Sequence, residues 1–106
     1  MATTYRQADL DSTVMRKILA VYGGTFSPGD LENVILRKIL VARGGTFSPG
    51  DLRSDILRKI LVTYGGTFAS GDLIYTIVRK IVVLTGGTPK PADTFNDLLR
   101  KWLEAI

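Results

Sequence analysis

Apolar and polar positions follow one pattern along this chain, and it returns every 21 residues. Between Thr25 and Gly45 the apolar positions are Leu31, Val34, Ile35, Leu36, Ile39, Leu40 and Val41. Leu31, Ile35 and Ile39 stand at i, i+4 and i+8 with Leu36 and Leu40 beside them, which makes one wide helical stripe. Arg37 and Lys38 then lie together on the opposite side. In a strand these adjacent cations would point to opposite faces, and one of them would be buried in every copy. The β-branched Ile39 and Val41 argue for a strand, but the paired cations decide for a helix. The pattern predicts an all-α array of five short helices, a compact bundle or small solenoid, in a single domain over residues 1–106.

The copies run over 4–24, 25–45, 46–66, 67–87 and 88–106, without an insertion. Asp9, Asp30, Asp51, Asp72 and Asp93 recur in all five, and are expected to cap the free N–H groups at the helix starts. Ser27-Pro28-Gly29-Asp30 puts Pro and Gly where a type II turn prefers them. A start at Ser27, with Pro28 as first helical residue and Phe26 stapled on Leu31, is the alternative. Gly44-Gly45 supplies a left-handed stop, which leaves helices of about 12–13 residues. One such unit is too small to offset the entropy of ordering it, so neighbouring copies must share their apolar faces.

The connection GGTFSPGD can reach at most ~26 Å, enough for a return to a parallel neighbour or for an antiparallel turn. Tyr22 and Tyr64 alternating with Arg43 and Thr85 hint at a doubled repeat, but equivalent environments for every copy are the better reading. Tyr5, Phe26, Phe47 and Phe68 are expected to pack each connection onto the following helix, and Tyr22 and Tyr64 to be exposed contacts. Trp102 and Glu104 give copy five the look of an end cap with a bulky plug and a polar outer face.

Composition narrows the chemistry. The chain has no Cys and no His, so thiolate sites and imidazole bases are ruled out. The loop from Gly24 to Gly29 has the glycine spacing of a phosphate loop, but Asp30 and Leu31 stand where Lys and Ser or Thr are needed. One Asp per loop is too few oxygens for calcium. Every acid-base candidate recurs in equivalent copies, whereas an active site is a unique constellation. No catalytic residue, metal, cofactor or small-molecule substrate is therefore expected, and the chain is read as not an enzyme. MATTYRQADL has no apolar core, so no secretion signal is expected. Ile81 to Leu84 is too short to span a bilayer, so a soluble protein is expected.

The net charge is +4, and ten of the 14 basic residues belong to five Arg-Lys pairs. These are Arg16-Lys17, Arg37-Lys38, Arg58-Lys59, Arg79-Lys80 and Arg100-Lys101. Stacked in parallel they would form a ridge suited to backbone phosphates. The plainer role is a solvated face.

LRKILVARGGTFSPGD, and DTFNDLLRKWLEAI after GGTPKPA, resemble short tandem repeats in uncharacterised virion-associated proteins of tailed bacteriophages. The resemblance spans nearly the whole chain. It implies a structural or attachment role in a viral particle, and a location in the virion or host cytoplasm. The leading expectation is thus a non-enzymatic structural or interaction module with a protein partner or self-association. A polyanion- or nucleic-acid-binding module is the alternative, and an engineered repeat protein, suggested by GGTFSPGDL in both copies two and three, is a further one.

Overall fold

The computed structural model describes residues 10–106, and these form five α-helices and no strand. They are α1 (Asp11–Val21), α2 (Glu32–Ala42), α3 (Arg53–Thr63), α4 (Ile74–Thr85) and α5 (Phe95–Ala105). The all-α array read from the periodicity is what the chain builds. Each helix is a turn or less shorter than expected, because it starts later.

The residue with extended backbone ahead of α2 is Leu31, not Asp30. Leu10, Leu52 and Leu73 take the same place before α1, α3 and α4, and none offers a side-chain cap. Asp30, Asp51, Asp72 and Asp93 are therefore not helix caps. Each sits one residue too early and closes the preceding turn instead: Asp30 Oδ2 accepts the Ser27 N–H at 3.0 Å while the Asp30 N–H donates to the Ser27 carbonyl at 3.0 Å. Asp9 lies outside the described residues. The turn is not type II either, since Gly29 is not among the glycines with positive φ. Ala92 at the equivalent place in copy five fits that finding, because no left-handed residue is required there. Only α5 among the five has a reciprocal side-chain cap, with Thr94 Oγ1 accepting the Asp97 N–H and Asp97 Oδ2 accepting the Thr94 N–H.

The Gly-Gly stop is as expected. Gly44 has φ of 90°, and the Gly45 N–H reaches back to the Leu40 carbonyl at 2.9 Å. The second glycine is needed for a different reason, since a Cβ on Gly45 would stand 2.4 Å from Leu40 Cδ1.

The helices run parallel. Residues at the starts of α2 and α3 meet through Arg53 and Glu32 at 2.6 Å, and residues at their ends through Arg43 Nη2 and the Thr63 carbonyl at 3.0 Å. Each helix packs on its two neighbours, and α1 packs on α5. Asn96 Nδ2 donates to Asp11 Oδ1 at 2.6 Å across that last junction, again start to start. The array is thus neither an open solenoid nor an up-down bundle. It is a closed ring of five parallel helices, a disc measuring 33 × 32 × 21 Å. A ring has no ends, so copy five is not a terminal cap.

Four residues per helix are fully buried at i, i+1, i+4 and i+5, as Ile35, Leu36, Ile39 and Leu40 are in α2. Leu31, counted in the stripe from its spacing, stays outside the core because the helix has not begun there. Trp102 replaces the aliphatic residue of the other copies at one of these positions and is fully buried. Its Nε1 donates to Tyr64 Oη at 3.1 Å. Copies five and three are not neighbours in the ring, so this contact crosses the axis.

Candidate functional site

The five Arg-Lys pairs are the feature that any function must be weighed against, and the ring explains their spacing. Because the helices are parallel, each connection must return from the end of one helix to the start of the next. In doing so it is gripped from both sides. Arg37 Nη2 reaches forward to the carbonyls of Pro49 at 3.3 Å and Asp51 at 3.2 Å, in the connection that leads to α3. Lys38 reaches back to Asp30 Oδ2 at 2.6 Å, in the connection that leads into its own helix. Arg16 and Arg58 repeat the forward grip, and Lys59 and Lys80 the backward one. Arg79 holds the Pro91 carbonyl at 3.0 Å, and Lys101 pairs with Asp93. Lys17 and Arg100 are not without partners either.

The connecting aromatic belongs to the same device. The Arg37 guanidinium lies 5.3 Å from the Phe47 ring centre, and Arg16 and Arg58 lie 5.5 Å from Phe26 and Phe68. Each Phe therefore packs back on the arginine of the preceding helix. The Nε atoms of Arg16, Arg37, Arg58 and Arg79 are buried without a partner, so only part of each guanidinium fork is used.

Charge is balanced unevenly within a pair. The lysine ammonium, through its hydrogen bond, holds the carboxyls of Asp30, Asp51, Asp72 and Asp93 below their ordinary value of 3.8, with the turn N–H as a second cause. Arg16, Arg37 and Arg79 donate instead to neutral carbonyls. The guanidiniums thus form a belt around the perimeter whose charge the same aspartates offset in part.

Between neighbouring copies the perimeter carries a groove that runs alongside the helices. The first, of about 660 Å³, is lined by Gly23, Gly24, Val34, Val41, Ala42 and Phe47, with Arg37 and Lys38 on one side. The next, of about 670 Å³, repeats it with Gly45, Val62, Thr63 and Phe68, and a third contains Gly66, Val83 and Leu84. The fourth is more polar, with Lys101 and Glu104.

The axis is closed at both ends by aromatic and cationic side chains. At the helix ends Arg43 lies 3.7 Å from the Tyr64 ring centre and 5.3 Å from that of Tyr22, and the two tyrosine rings are 6.5 Å apart. These tyrosines are half-buried at the axis and are not the exposed contacts expected of them; burial pushes the Tyr22 phenol up. At the helix starts Arg53 pairs with Glu32 and stands 5.7 Å from the Phe95 ring. Phe95, which the sequence reading did not single out, could have been found as the aromatic aligned with Asp11, Glu32, Arg53 and Ile74.

Among the described residues no helix is long and apolar enough to cross a membrane, and no three carboxylates cluster as metal ligands would. No protein-family model, curated protein or solved structure matches the chain.

Proposed function

We propose that this protein is a non-enzymatic structural or interaction module, a disc-shaped piece that docks into a larger assembly through protein contacts. The phage-like repeats suggest a viral particle as that assembly. The observation that supports the reading best is the clamp. The repeated charged residues are spent on holding the connections of the ring, and they recur in equivalent places and do not converge on one site. Such a chain offers partners a rigid shape with a repeated surface, as other repeat proteins do.

One observation favours polyanion binding as the second reading: the perimeter guanidiniums are bonded to carbonyls, so the nearby aspartates offset their charge only in part. The two readings separate by fluorescence anisotropy of the intact protein with a labelled duplex and a labelled single strand across a salt series. Phosphate contacts release counterions, so binding through the belt must weaken steeply with salt. The module reading expects little affinity at about 150 mM salt, where counterion release has been largely suppressed. Sub-micromolar binding there, with a steep salt slope, overturns it.

A further inference from the structure

Four leucine side chains are left outside the core. Leu10, Leu31, Leu52 and Leu73 stand at the helix starts, 67–73% exposed. Leucine is among the poorest residues at that place, where Ser, Thr, Asp or Asn would stabilise the helix. Thr94 in copy five is such a residue, and it does cap. Four of five copies thus give up a cap to present an apolar side chain to solvent.

In the last turn of the helices the exposed apolar side chains are Val41, Val62, Val83 and Leu84, where the perimeter grooves between copies reach that end. The two positions change together along the chain. Leu10, Leu31, Leu52 and Leu73 share their copies with Ala20, Val41, Val62 and Val83, whereas Thr94 shares its copy with Glu104. Both sets follow the same order around one axis, so leucine knobs and apolar grooves have the same angular spacing.

Resting on the module reading above, we infer that the partner is a second copy of this chain, stacked head to tail on the axis. The end with helix starts carries the positive ends of the helix dipoles and the other end the negative ones, so head-to-tail stacking aligns the dipoles while like ends would oppose them. An end of a 33 × 32 Å disc offers roughly 800 Å², the area each partner buries in a standard stable interface. The contact is heterologous and leaves an unused end on each ring, so it propagates into a stack and does not stop at a dimer.

The test is sedimentation of the intact protein across a concentration series, with two variants. Leu31→Asp/Leu52→Asp removes knobs while supplying better caps, and Val41→Lys/Val62→Lys alters the groove end at exposed positions. Wild type should grow with concentration beyond a dimer. Each variant alone should be monomeric, with unchanged helical circular dichroism. Their equimolar mixture should double in mass and go no further, because one intact end of each kind remains. A wild type that is monomeric up to its solubility limit overturns the proposal, and so does a mixture that fails to pair. A valine variant that dimerises alone would show like-end pairing and overturn it equally. A monomeric wild type leaves the module reading standing with a different partner, whereas tight nucleic-acid binding removes that reading itself.

Discussion

The perimeter and the axis of this ring obey different rules. Around the perimeter the same contact recurs: Arg to the next connection, Lys to the previous one, Phe over the Arg. At the two ends of the axis little recurs. Tyr22, Arg43, Tyr64, Thr85 and Ile106 are aligned in the repeat and only tyrosine occurs twice, while Asp11, Glu32, Arg53, Ile74 and Phe95 all differ. Each perimeter contact lies between two neighbours and can be copied. The axis is shared by five copies, and five identical side chains pointed at one line either clash or leave a hole. Dense packing there needs unlike residues, one of them as large as Trp102.

That contrast can be broken first at its centre. Trp102→Ala leaves a cavity on the axis and removes the donor to Tyr64 Oη, and should cost ~3–5 kcal/mol in urea melts. A loss comparable to that of a perimeter substitution would mean that the axis is not packed as one unit. Acid sharpens the perimeter side. The four clamped carboxyls have depressed values, so their contribution is full above 3.8 and is lost as pH falls through the lower folded-state values. The urea midpoint should drop across that range, and drop less in Asp51→Asn, which has given up one clamp already. Next, Arg16→Ala and Arg37→Ala should each cost about 1–2 kcal/mol, since each loses two charge-assisted bonds to carbonyls and one aromatic contact. The test is their equality, because a repeated contact should have one value; a twofold disagreement would break the symmetry claimed for the perimeter. The smallest effect has the opposite sign. Leu31→Asp supplies a missing cap and should raise stability by ~0.5–1 kcal/mol, which melts of dilute protein would show.

Much of the perimeter was legible in the sequence. The Gly-Gly stops, the buried quartet of each helix and the helical placement of Arg37 and Lys38 follow from spacing and local backbone rules. The invariant Asp30 was found but given the wrong task, since a cap and a turn-closing carboxylate one residue earlier leave the same mark in a repeat. Leu31 was misplaced for a related reason: helical spacing assigns it to the stripe only if the helix has already begun. Closure of the ring was not legible at all. It depends on the small rotation between neighbouring copies, set jointly by the clamp and the packing of Leu40 against Gly45, and no residue type encodes an angle. Arg53 and Phe95 meet only because the ring closes, so their contact was hidden with it.

The α1–α5 junction also bears on how such a chain can change in length. In an open stack a duplicated unit adds one interface and disturbs no other. Here five units share one full turn, about 72° each, and every junction is committed to that value. A sixth copy inserted by duplication would require all the junctions to open together, or would hang outside the circle with its apolar face bare. Copy number is therefore under the same kind of physical selection as a core residue, and slippage of the repetitive gene, easy at the level of DNA, is filtered by the geometry of the product.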